Sequence, residues 1–159
     1  MTDLIKHHIP RERALHGMGV LLATLRAAYQ IHQNAHWQAS GPAYYGDHLL
    51  YQRLYETVAE EIDQVGEKLV GVYGAHIDPL RQSEMVASFV AEIKGADFVM
   101  RSLRAEKTLV SFLSVLHSDL DERGLLSLGM DDFLGSLASS HEDHVYLLSQ
   151  RSAKALEIS

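Results

Sequence analysis

Along this chain apolar residues recur at spacings of three and four, with few strand-like alternations, and that period belongs to helices. The first predicted helix runs from Pro10 to about Gln38, with Leu15, Met18, Leu22, Leu25 and Tyr29 on one face. Pro10 suits a first helical turn. The second spans about Tyr45 to Tyr73, with a stripe of Leu50, Leu54, Val58, Ile62, Val65, Leu69 and Val72 closed by Gly71 and Gly74. "AHIDPLRQ" reads as a loop. "SEMVASFVAEI" reads as a short helix capped by Ser83, and Gly95 separates it from a third long helix, Ala96 to about Glu122. After "RGLLSLG", a fourth covers about Met130 to Ala153. Four long amphipathic helices, with one short piece in the long connection between the second and third, describe an all-α four-helix bundle.

At 159 residues and 47% hydrophobic, the chain suits one domain, 1–159, that buries roughly 70% of its unfolded surface. Residues 1–9 and 154–159 read as short tails. The start has no apolar core of signal-peptide length, and no run approaches the roughly 20 apolar residues that span a bilayer. The expectation is a cytoplasmic protein without a membrane partner. Cysteine is absent, which removes disulfides and thiolate metal sites from the available chemistry. The net charge of −7 argues against broad attraction to a phosphate backbone.

Placed on these helices, the polar residues suggest metal chemistry. His36 ends the first helix and His48 begins the second, so the Gly41-Pro42 turn brings them together. Asp63 and Glu67 are one turn apart on a single face, where two carboxylates can reach one ion. Two imidazoles and two carboxylates suit iron, zinc or manganese. Yet Asp63 lies fifteen residues beyond His48 on the same helix, about 22 Å of rise, so one chain cannot wrap all four groups around one metal. A second copy, paired antiparallel across a two-fold axis, would complete two equivalent sites. Gly66, between the carboxylates, costs about 1 kcal/mol in a helix interior, and close helix approach at such an interface would offset it.

"HWQASGP", His48 twelve residues after His36, and Asp63 and Glu67 within "DQVGEK" together resemble the signature of the Dps family, the mini-ferritins. "DDFLGSLASSHEDHVYLL" resembles the family's final helix. The resemblance implies a ferritin-like four-helix bundle assembled as a hollow homododecamer. It implies a ferroxidase that oxidises ferrous iron with hydrogen peroxide or oxygen, stores the ferric product, and protects against oxidative damage. It further implies that His36 and His48 of one chain meet Asp63 and Glu67 of its two-fold mate.

The sequence departs from that pattern at several positions. Gln52, one turn after His48, stands where the family is commonly acidic, and its neutral amide predicts a weaker second iron position. Asp132 matches one acidic residue of the family's three-fold pore, while Leu128 falls where another is expected. Residues 1 to 13 carry a net charge of only +1 (Lys6, Arg11 and Arg13 against Asp3 and Glu12), which predicts no duplex-DNA binding at neutral pH and physiological salt. His7 and His8 would add charge below about pH 6.5. Trp37 reads as an interface or core aromatic, with interception of an oxidant beside His36 as the alternative. His32 reads as a partner backing His36 or as a surface residue. His141 and His144, one turn apart without supporting carboxylate spacing, read as ordinary helix residues rather than a second metal site. A nucleoid-binding shell, or a structural shell with a vestigial metal site, are the alternative functions.

Overall fold

The computed structural model describes the backbone of residues 2–156 and the side chains of residues 12–152. Among the described residues there are five helices: α1 (Thr2–Gln38), α2 (Tyr44–Tyr73), α3 (Pro79–Glu92), α4 (Phe98–Glu122) and α5 (Leu128–Leu156). Packing of α1 along α2 and α4, and of α4 along α5, forms the bundle, while α3 lies on α1.

Local chemistry sets most of the boundaries. Gly74 adopts φ 66°; its N–H donates to the Val70 carbonyl at 3.0 Å, and the N–H of Ala75 to Leu69 at 3.1 Å, closing α2. A left-handed residue at this position favours glycine. Asp78 caps α3 by accepting the N–H of Leu80 at 2.9 Å, ahead of Pro79 in the first turn. The expected loop over "AHIDPLRQ" therefore ends at Asp78, because an Asp-Pro pair is a helix start. Ser83 is not the cap; its hydroxyl donates to the Pro79 carbonyl within α3. Asp97 caps α4 by accepting the N–H of Met100 at 2.8 Å. At the other end of the chain, α1 begins at Thr2 rather than Pro10, and α5 runs to Leu156, so the expected tails are helical over 2–9 and 154–156. A proline removes one intrahelical bond, and the glycine-free segment before it continues as helix. His7 and His8 lie outside the described side chains.

The main core interleaves Met18, Leu21, Leu22 and Leu25 of α1 with Val58, Val65 and Leu69 of α2, Leu109, Leu113 and Leu116 of α4, and Met130, Leu134 and Leu137 of α5. Burying a side chain of this size contributes about 1.5–3 kcal/mol. Ala23 and Ala27 on the outer face of α1 are small enough to admit α3, which seats Val86 between them. Val72, expected in the apolar stripe, is exposed, and Tyr73 takes the buried position.

Candidate metal centres

The short turn between α1 and α2 does bring His36 and His48 together. Their rings stack with centroids 3.8 Å apart, flanked by Tyr55 against His36 and Tyr44 against His48. Nδ1 of His36 lies 2.9 Å from the His48 carbonyl oxygen, and Nδ1 of His48 lies 3.3 Å from the His36 carbonyl. A carbonyl only accepts, so each ring donates through Nδ1–H and keeps its lone pair on Nε2. That tautomer is the one a metal-ligating histidine needs, with the second nitrogen held by an outer partner.

Asp63 and Glu67 are exposed further along α2, lining an open groove with Arg26, Ile62, Gly66 and Val70. The structure therefore gathers the two imidazoles at one end of α2 and the two carboxylates on its later turns. The amide of Gln52 donates to Glu56 at 2.8 Å. Asp47, next to His48, is held by Arg151 through Nε at 2.5 Å and a second guanidinium N–H at 2.9 Å. This paired contact ties α5 to the start of α2 and occupies both oxygens of Asp47. Trp37 is 66% exposed and so is not a core aromatic. Asp132 is exposed in the first turn of α5, beside Asp131, which accepts a hydrogen bond from His117 at 2.7 Å.

A second cluster lies inside the bundle and draws on all four long helices. His32 of α1 is fully buried, with Nε2 2.6 Å from Glu106 Oε1 of α4 and Nδ1 3.1 Å from the Ser102 hydroxyl. It is thus neither a surface residue nor a partner of His36. His141 of α5 donates from Nδ1 to Glu106 Oε2 at 2.5 Å, and its Nε2 lies 3.1 Å from Glu61 Oε2 of α2. The Ser140 hydroxyl donates to the other Glu61 oxygen at 2.8 Å, and His144 Nδ1 lies 3.4 Å from Glu106 Oε1. Burial alone would raise the Glu106 carboxyl, but the hydrogen bonds from His141 and His32, with the His144 imidazole close by, outweigh it and hold the group well below the usual carboxylate range. Burial likewise disfavours the His141 imidazolium, and the contacts with Glu106 and Glu61 override it, pushing the ring up to about 10.

The expectation that His141 and His144 are ordinary helix residues is therefore corrected. Their carboxylates come from other helices, which spacing along α5 cannot reveal. One signal was present: Glu61 falls in the buried register between Val58 and Val65, Glu106 between Leu103 and Leu109, and His141 and His144 between Leu137 and Leu148. Polar groups on an apolar stripe need partners in the interior.

No protein-family model matches the chain. A nutrient stress-induced DNA-binding protein of Nostoc sp. is 26% identical over 101 residues, covering 61% of this chain and 55% of the relative. The DNA protection during starvation protein of Brevibacillus brevis is 27% identical over 118 residues, covering 72% of this chain and 78% of the relative. The matched stretch thus spans little more than half of the Nostoc protein's length. Among solved structures, Dps from Thermosynechococcus elongatus superposes with a TM-score of 0.76 at 16% identity, over 89% of this chain and 91% of that one. The Dps protein of Vibrio cholerae O1, described as a member of a broad superfamily of ferritin-like diiron-carboxylate proteins, gives 0.75 at 15% identity, over 89% and 90%. The chain therefore has the ferritin-like fold of the Dps proteins, and its sequence resembles theirs.

Proposed function

We propose that this protein is an iron-sequestering ferroxidase, built as a closed homododecameric shell of the Dps type. The observation that carries the reading is the mutual clasp of His36 and His48, which leaves both Nε2 lone pairs available beside the turn. Asp63 and Glu67 of a second copy, aligned antiparallel along α2, would complete the ligand set with hard oxygen donors suited to ferrous iron, or to zinc or manganese in its place. Iron is here the substrate. One peroxide takes one electron from each of two ferrous ions, its O–O bond breaks, and two protons convert the oxygens to water. The ferric product then hydrolyses and is retained in the shell, with entry past Asp132. Consuming ferrous iron and peroxide together suppresses hydroxyl-radical formation. Anaerobic ferrous titration followed by peroxide or oxygen tests the reading: ferric absorbance should develop with the native chain and fall sharply with His36→Ala. Equal rates in the two proteins would contradict it.

Gly66 gives a separate handle on assembly. A Cβ built there meets nothing within 4 Å in the chain, so Gly66→Leu is expected to preserve helix content by circular dichroism. In the proposed pairing of α2 with its copy the same side chain obstructs the approach. Sedimentation should then shift from shell to small species, and an unchanged assembly would remove Gly66 from the interface.

DNA binding is the second reading, favoured by the names of the relatives. The charge of −7 per chain, multiplied over a shell, opposes it, since binding to duplex DNA tracks the cations presented and falls with salt. The expected mobility-shift result at neutral pH and about 0.15 M salt, where the Debye length is near 8 Å, is no retarded DNA.

A further inference from the structure

We propose that Arg151 of α5 is a positioning residue for the turn site, fixing the first turn of α2 through Asp47 and so holding His48 where it can ligate metal; this rests on the reading of His36 and His48 as ferrous ligands. Asp47 and His48 are adjacent, and neighbouring helical positions point about 100° apart. The structure uses both directions. His48 turns to α1, where it shares the clasp with His36, and Asp47 turns to α5, where Arg151 grips both of its oxygens. A planar guanidinium that meets a carboxylate through two N–H bonds fixes orientation as well as distance. The pair is largely withdrawn from water, with side-chain exposures of 28% for Arg151 and 14% for Asp47, so salt screens it less than a surface pair.

Local chemistry secures this turn poorly. α2 starts after Ala43 without a side-chain cap, whereas α3 and α4 are each capped by an aspartate. The bond that the His48 ring donates to the His36 carbonyl is long, at 3.3 Å against 2.9 Å for its counterpart, so a small shift of the first turn breaks it. The support comes from α5 instead. Ala35, Tyr51, Leu54 and Leu103 form a satellite core with Leu148, which lies one turn before Arg151. Ala35 precedes His36, and Tyr51 follows His48 by three residues. Arg151 also interacts electrostatically with Asp97, the cap of α4. The ends of three helices therefore meet at one guanidinium, directly behind the histidine that the site needs. A group that orients a ligand from behind in this way typically governs metal affinity about 10–100-fold.

Arg151→Met in the full-length protein removes the clamp and keeps the apolar stem. Ring-nitrogen NMR in mildly alkaline buffer should find His36 and His48 of the native chain protonated on Nδ1. In the variant the His48 ring should lose that fixed tautomer while circular dichroism shows unchanged helix content. Anaerobic titration should show ferrous affinity falling about 10–100-fold, with the oxidation rate at saturating iron retained. Asp47→Asn should reproduce these effects, and the double variant should be no worse than either single one, because both act through one contact. Arg151→Lys keeps the charge without the fork and should fall between. Should the methionine variant fail to fold, the same comparison on the lysine and Asp47→Asn variants decides the question. The tautomers are read without iron, so a native chain that binds none would end the ferroxidase reading and leave the role of Arg151 to be decided by them. An unchanged His48 tautomer in folded Arg151→Met, additive losses in the double variant, or undiminished ferrous affinity overturns the positioning role.

Discussion

Co-assembling a chain carrying His48→Ala with one carrying Asp63→Ala should restore ferrous oxidation that neither shows alone. In a mixed two-fold pair, one pocket collects both lesions and the other receives none. Random pairing makes about half of the pairs mixed, each with one intact pocket of two, so recovery should approach about a quarter of the native rate. The expectation rests on distance. His48 and Asp63 share one uninterrupted helix, α2, and their separation of about 22 Å is far beyond the reach of two side chains to one ion. Differently tagged chains purified in tandem establish that mixed pairs are present. If such pairs remain inactive, the site is not shared between copies.

Replacing Glu106 by leucine in metal-free protein should cost about 3–5 kcal/mol of stability, the usual penalty for removing one partner of a buried charged pair. Glu106 is fully buried and accepts from His32 and His141, with His144 beside it. Its loss leaves the His141 imidazolium facing only Glu61 in the interior and strands the rings of His32 and His144. Glu106→Gln keeps the shape and one acceptor, and should cost less. Urea unfolding monitored by circular dichroism, with chelator present throughout, measures both. A loss below about 1 kcal/mol for the leucine variant would mean that the histidines discharge or repack without difficulty, and that the network contributes little to holding the bundle together.

Much of this architecture was legible without coordinates, because it depends on interactions between residues close in sequence. The three-four apolar period marks the bundle helices, and Gly74 ends α2 through backbone geometry alone. The pairing of His36 with His48 was also readable, since a turn over residues 39–43 leaves them no other arrangement. Asp78-Pro79 carries a helix-start signal too, set among residues that otherwise resemble a loop. The interior cluster is different in kind. His32, Glu61, Glu106 and His141 lie on four separate helices, and no local spacing relates them. Each by itself is a polar residue on a helix, for which exposure is the ordinary expectation. Only the packing of α1, α2, α4 and α5 turns the four toward one point, where exclusion of water makes each dependent on the others. Tertiary structure thus decided which histidines meet carboxylates within one chain, while helix length alone had already excluded Asp63 and Glu67 of the same chain from sharing an ion with the turn histidines.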